Sequence, residues 1–237
     1  VAPPKSDAPL GAIVDATPAR RPWRATLTGR LVDLVPWDFA LHGDTLWEAC
    51  CGPENEELWN YLFAGPFRDR AAFDAHFSAK PVSDDPLLFA IVEKASGRAV
   101  GHAALMRIEH VHRVIEVGNI LYTPALRRTG GATEAMYLLA RHVFDDLGYR
   151  RYEWKCNALN EPSRRAAVRL GFQFEGVFRQ HMIVKNRTRD TAWYAMLDSE
   201  WPACKAAFEQ WLDPSNFDAE GLQKQPLESF RRSPADL

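Results

Sequence analysis

The chain has 237 residues, 46% of them hydrophobic, and a formal net charge of −2. That is room for one ample domain with tails, and the near-neutral balance excludes a strongly basic chain, so bulk electrostatics do not suggest nucleic-acid binding. No apolar run approaches the roughly 18 residues of a membrane span, and the first residues carry no signal-peptide pattern.

Residues 1–22 are rich in Pro and Ala and end on Arg20-Arg21-Pro22. They read as a mobile arm or an extended strap, and the absence of an initiator Met suggests a trimmed or partial N-terminus. Alternation from Trp23 through Leu27, Leu31, Leu34 and Val35 predicts a strand pair or a bent strand ending at Pro36. Trp37 to Cys51 reads as a helix stopped by Gly52-Pro53, followed by helical stretches at Glu56 to Phe63 and Arg68 to Ala79. Most aromatic residues of this region, Trp37, Trp47, Trp59, Tyr61, Phe63, Phe67 and Phe73, are expected in the core.

Pro81 to Pro86 is a loop. Leu87 to Glu93 and Ala99 to Ile108 are strands around the Ala95-Ser96-Gly97-Arg98 turn, and a third strand runs from Val114 to Tyr122. Met136, Leu139, Ala140, Val143, Phe144 and Leu147 recur at helical spacing, ending at Gly148. Tyr152, Trp154 and Cys156 alternate with Arg151, Glu153 and Lys155, a strand with one buried face. Asn160 is placed to cap a helix through Leu170. Phe172 to Val184 and Thr191 to Leu197 are strands around a Lys185-to-Asp190 turn, so the Asn186-Arg187-Thr188 glycosylation pattern reads as a chance match in a hairpin. A helix from Trp201 to Trp211 ends the domain, which spans residues 23–212, and residues 213–237 read as a polar tail. The whole is a mixed α/β (α+β) sheet protein. Cys50, Cys51, Cys156 and Cys204 form no C-x-x-C pair, and adjacent cysteines are poor disulfide partners, so a reducing cytoplasm is the expected home.

The segment between the third strand and the long helix carries the chemistry. A glycine-containing turn feeding a helix can aim several backbone N–H groups at one anion, and the helix dipole favours that anion further. Here the turn is Leu126-Arg127-Arg128-Thr129-Gly130-Gly131-Ala132-Thr133-Glu134. It lacks both the G-x-x-x-x-G-K-[ST] and G-x-G-x-x-G phosphate patterns. Arg127-x-x-Gly130-x-Ala132 instead resembles the Q/R-x-x-G-x-G/A signature of the GNAT superfamily of acetyl-CoA-dependent N-acetyltransferases. Further segments are similar to the RimJ/RimL-type branch in the same order: Glu116-Val117-Gly118, Thr133-Glu134-Ala135, Asn160-Glu161-Pro162-Ser163, Gly171-Phe172-x-Phe174-Glu175-Gly176 and Arg189-Asp190. The resemblance covers roughly residues 29–200.

That resemblance implies a GNAT fold, with a mostly antiparallel sheet splayed at the cofactor site and flanked by helices. It implies acetyl-CoA as donor and an amine as acceptor, in a direct transfer through a ternary complex. The amides of Thr129, Gly130, Gly131, Ala132 and Thr133 would hold the coenzyme diphosphate, helped by Arg127 and Arg128. Gly130 and Gly131 would permit unusual dihedrals and close backbone approach. Backbone groups of Leu121, Tyr122 and Thr123 would pair with the pantothenate arm, and Asn160 would contact it. Ser163 would meet the leaving thiolate, because Ala167 stands where many relatives place an acidic Tyr. By its spacing from Arg127, Glu116 matches a general-base glutamate, and it could act directly, act through a water, bind the ammonium or form a structural ion pair. Cys156 could line the thiol pocket or be a buried small hydrophobe. Arg179, His181, Arg189 and Asp190 could contact a polar acceptor or be surface charges. No metal site is expected, since His110 and His112 lack a partner at suitable spacing.

The acceptor is open between a small-molecule amine, which the near-neutral charge favours, and a protein N-terminus of the ribosomal-protein type. An acyl group longer than acetyl, a non-catalytic acyl-CoA sensor, and either a monomer or a homodimer are also compatible with the sequence.

Overall fold

The computed structural model describes residues 10–79 and 83–231. Residues 1–9, 80–82 and 232–237 fall outside it, and with them parts of the expected arm, loop and tail. Eight strands form one sheet: β1 (Leu27–Thr28), β2 (Val32–Pro36), β3 (Leu87–Glu93), β4 (Ala99–Glu109), β5 (Val114–Tyr122), β6 (Arg151–Asn157), β7 (Gln173–Val184) and β8 (Arg187–Leu197). Their spatial order is β1-β2-β3-β4-β5-β6-β8-β7. Every neighbouring pair is antiparallel except β5 and β6, which run parallel because a helix connects them.

The helices are α1 (Phe39–Cys50), α2 (Arg70–Ser78), α3 (Gly130–Arg141), α4 (Glu161–Arg169) and α5 (Trp201–Leu212). Asp38, Asp69, Thr129 and Asn160 cap the first four through their side chains. The Glu56-to-Phe63 stretch forms a 3-10 turn at Pro53–Trp59 rather than a helix. Two apolar cores sandwich the sheet. One includes Phe89, Ile115, Val117, Leu139, Val143, Tyr152, Trp154 and Phe208, from the sheet, α3 and α5. The other includes Trp37, Leu46, Trp59, Phe73 and Phe77, where α1 and α2 meet the sheet. Of the early aromatics, Tyr61 and Phe63 stay exposed.

The β5–β6 ladder stops at Val117↔Trp154, although β5 continues to Tyr122 and β6 to Asn157. The two strands therefore splay, and residues 118–122 keep one backbone edge open. Two bulges flank this opening. The β4–β5 register slips between His102 and Ala104, leaving Asn119 in the left-handed region at φ +47°. A second slip between Met106 and Glu109 holds Arg107 at φ +48°, where Asp85 accepts the Arg107 and Ile108 amides at 2.8 and 3.0 Å.

Three boundaries differ from expectation. The β7–β8 turn is only Lys185-Asn186, both residues at positive φ, so Arg187 to Asp190 belong to the strand. The strand pattern of Arg187-Thr188-Arg189-Asp190 was masked because polar residues occupy both faces. Residues 213–231 pack against the domain rather than trailing from it. Leu227 is buried, and Asn216 donates to the carbonyls of Trp211 and Gln225 at 3.1 and 3.2 Å. So few apolar anchors leave no periodic signal to read. At the other end, the amides of Ala19 and Arg20 donate to His110 and Leu147 carbonyls, fastening the described end of the arm.

Candidate active site

The turn before α3 is built by its own hydrogen bonds. Thr123 donates both its amide and its hydroxyl to the Val100 carbonyl, at 3.1 and 2.7 Å. The Leu126 and Arg127 amides donate to the Thr123 carbonyl, and the Thr129 amide to the Leu126 carbonyl. The Thr129 hydroxyl accepts the Ala132 amide at 3.3 Å. Thr123, Thr129 and Ala132 therefore spend on the fold the amides that the resemblance assigned to the ligand. Thr133 lies buried inside the first turn, its hydroxyl accepting from Arg169 at 3.0 Å. Gly130 and Gly131 are left with helix-terminal N–H groups that have no partner within the helix.

Those glycines matter for space, not for dihedral freedom. A Cβ at Gly130 would sit 2.9 Å from Leu31 Cδ1, and one at Gly131 2.9 Å from Val32 Cγ1. The left-handed residue of the turn is Arg128, at φ +62°. Arg127 and Arg128 are exposed, with Arg127 3.8 Å from Glu57. Tyr122 closes the strand by donating its hydroxyl to the Ala132 carbonyl at 3.0 Å, and burial pushes its phenol well above the ordinary range.

Across the splay, the Asn160 side-chain oxygen accepts the Ser163 amide at 3.2 Å, starting α4. The Ser163 hydroxyl accepts the Trp154 indole N–H at 3.0 Å, so its own proton can be donated elsewhere. Cys156 is buried. Burial pushes its thiol up, while the neighbouring Ser163 hydroxyl and nearby arginines pull the other way. Ala167 is buried at the position where a Tyr acid would stand.

The opposite face of β5, β6 and β8 carries charge. Both Glu116 carboxylate oxygens lie 2.7 Å from Arg107 Nη1, and one also lies 2.9 Å from Lys155 Nζ. Lys155 in turn sits 2.6 Å from Glu153 and 3.9 Å from the centre of the Trp193 ring. Of the roles open to it, Glu116 here occupies the buried ion pair. The contributions of Lys155, Arg107 and Trp154 were not foreseen. Their signal is faint: a Lys one strand over from a Glu reads as a solvated pair until the register joins them.

Over this face the segment after Trp59 meets the β7–β8 hairpin. Lys185 Nζ donates to the Trp59 carbonyl at 2.7 Å, and the Tyr61 hydroxyl donates to the Leu159 carbonyl at 3.2 Å. The Arg189 guanidinium lies 4.9 Å from the centre of the Phe63 ring. Of the remaining hairpin residues, Arg179 is exposed. His181 meets the Thr191 hydroxyl at 3.0 Å, and Asp190 accepts the Gln180 amide at 2.7 Å. Among the described residues no helix is long and apolar enough to cross a membrane, and no group of three or more His, Cys, Asp or Glu is arranged to hold a metal.

A family model described as "Acetyltransferase (GNAT) domain" matches residues 34–173. A solved structure of a GCN5-related N-acetyltransferase from Brucella melitensis is 50% identical, covers 94% of this chain and 99% of its own, and superimposes with a TM-score of 0.90. A probable GNAT-family acetyltransferase from Chromobacterium violaceum is 39% identical over 85% of this chain and 100% of its own, with a TM-score of 0.76. The Bacillus subtilis protein described as "Uncharacterized N-acetyltransferase YnaD" is 25% identical over 149 residues, 62% of this chain and 84% of that protein.

Proposed function

The chain belongs to the GNAT acetyltransferase family, whose enzymes use acetyl-CoA, and from this premise we propose that its acceptor is a small-molecule amine. The observation that carries the reading is the latch of Lys185 on Trp59 and Arg189 over Phe63. It ties the hairpin to the segment above the charged face, which suits a compact acceptor better than a threaded protein N-terminus. The net charge of −2 adds no surface for docking on a nucleoprotein.

The residues present fit the coenzyme. The unpartnered Gly130 and Gly131 amides suit its diphosphate, with Arg127 and Arg128 beside them. The open backbone edge at residues 118–122, Leu121 and Tyr122 included, suits the amide-bearing arm, and Asn160 Nδ2 remains free to donate to it. Acetyl-CoA supplies an acyl carbon activated as a thioester, whose C–S bond breaks as a C–N bond to the acceptor forms.

Ser163 then donates its proton, or a hydrogen bond, to the departing sulfur. The bulge leaves Asn119 and Ile120, next to Leu121, out of the β4 ladder, so an amide there can polarise the acyl carbonyl. The proton lost from the amine sets the demand on Glu116. Neutralising an α-amine with a pKa of about 8 at pH 7 costs about 1.4 kcal/mol, against about 4.6 for a lysine amine near 10.4. With Glu116 already held by Arg107 and Lys155, a weakly basic amine matches the site: it loses its ammonium proton to solvent before attack, the proton shed as the C–N bond forms ends on the departing sulfur, and Glu116 acts as a positioning residue for those two cations.

Free-thiol release with acetyl-CoA and a panel of small amines and N-terminal peptides tests the acceptor. Small amines should give the higher kcat/KM. A preference for peptides would replace the reading with protein N-terminal acetylation, and tight coenzyme binding without turnover would replace it with a sensor. On the best amine, Glu116→Gln should lower turnover by a similar factor from about pH 6 to about pH 9. A deficit that shrinks as pH rises would make Glu116 the proton acceptor.

A further inference from the structure

The charges beneath the hairpin do not all find partners. Arg107 and Lys155 hold Glu116, Lys155 and Arg151 hold Glu153, and Arg151 also holds Glu175. Three cations thus meet three carboxylates, and the network closes on itself. Arg189 stands outside it. It is 7% exposed, yet its side chain makes no ion pair or hydrogen bond among the described residues, and its Nε is sealed from solvent without a partner.

A buried guanidinium without a counter-ion is costly, because burial penalises the charged form. That penalty lowers its proton affinity. Cys156 and Glu116 pull it back, and Arg107 pushes it down further. The neighbouring Asp190 does not neutralise it, since alternation sends Asp190 to the other face, where it accepts the Gln180 amide. The same alternation puts Arg189, Thr191 and Trp193 on one face, and Trp193 carries Lys155 against Glu116. Arg189 therefore faces the side of the splay where an acceptor would lie, opposite Ser163 and the coenzyme turn.

We propose that Arg189 is a specificity-determining residue that pairs with a carboxylate carried by the acceptor itself, so that the substrates are amines bearing an acid group, of the amino-acid class. The guanidinium fork matches a planar carboxylate, and Phe63 beneath it holds the plane. A carboxylate delivered there completes the charge balance that the protein leaves open, and its amine is held beside the acyl carbon.

The inference rests on the acetyltransferase reading, and the test separates the two. Common amino acids and their α-amides are compared as acceptors with the wild-type protein, while coenzyme A binding is followed by calorimetry. Expressed per unprotonated amine, since the acid's amine is the more basic of the two, the acid should be preferred over its amide by about 10- to 100-fold in kcat/KM. Arg189→Gln should erase that preference by slowing the acid, with coenzyme affinity kept within about twofold. Arg189→Lys, which keeps the charge without the fork and guards against a misfolded Gln variant, should restore only part of it. Equal use of acid and amide by the wild type overturns the inference. So does a preference that survives Arg189→Gln, or an equal loss on every amine, which would place Arg189 on the donor carbonyl. Absence of turnover with every amine, coenzyme bound, overturns the enzyme reading itself.

Discussion

Glu134→Ala is expected to lower the stability of the fold by about 3 kcal/mol, from the buried Val32 amide and the partly buried Arg30 and Leu31 amides losing their acceptor, at about 1–3 kcal/mol for a fully buried one. The Glu134 carboxylate accepts the Arg30, Leu31 and Val32 amides at 2.9, 2.6 and 2.9 Å. It thereby fastens the β1–β2 turn to the first turns of α3. Leu31 and Val32 are also the residues against which Gly130 and Gly131 pack. Loosening them should disturb the diphosphate turn, so coenzyme affinity should fall along with the melting temperature. For a chain of this size the midpoint should drop by roughly 6–12 °C. Glu134→Gln, which keeps one acceptor oxygen, should lie between the two. A wild-type midpoint for Glu134→Ala, read by thermal denaturation with and without coenzyme A, would show that water replaces the carboxylate and that the tether is dispensable.

Ser163→Ala is expected to slow turnover by about 10- to 100-fold, with coenzyme affinity nearly unchanged. The hydroxyl interacts with the sulfur chiefly as the C–S bond breaks, so the loss belongs in kcat rather than in binding. The substitution also strips the Trp154 indole of its acceptor, which costs about 1–3 kcal/mol of stability. Ser163→Thr separates the two effects, because it keeps a hydroxyl for both the indole and the sulfur. Turnover should return with the hydroxyl. If Ser163→Ala keeps the wild-type kcat, Ser163 is only an α4 first-turn residue, and the thiolate leaves without its help.

Glu134 and Ser163 illustrate two kinds of legibility. Ser163 stands out in the sequence because its placement depends on local spacing: Asn160 must cap the helix, and Ser163 follows one turn later. Glu134 was visible only as part of a motif segment. Its partners lie about a hundred residues earlier in the chain, and no local pattern announces a carboxylate that will meet three distant amides. The same contrast runs through the glycine turn before α3. Gly130 and Gly131 stood out as glycines, yet the reason for them is steric contact with Leu31 and Val32 rather than dihedral freedom. The left-handed position falls on Arg128, a residue type that gives no hint of it.

The charged face shows most clearly why a site can be half legible. Arg151, Glu153 and Lys155 alternate with apolar residues and read as a solvated strand face. Pairing β6 with β5 and β8 instead sets Glu116 and Trp193 beside them on that face, where Glu116, Glu153 and Lys155 form a buried cluster. Arg189 reads as one more hairpin charge until burial removes its water and the network leaves it unmatched.

Periodicity, turn chemistry and helix caps depend on neighbours within about four residues. For that reason the amino-acid order alone was enough to predict the mixed sheet, the crossover helix after β5 and the glycine turn that opens that helix. Which amides stay free there, which carboxylate is committed to cations, and which cation awaits a partner depend on strand register and on burial. Those are properties of residues far apart in the chain, and only their packing in three dimensions could decide them.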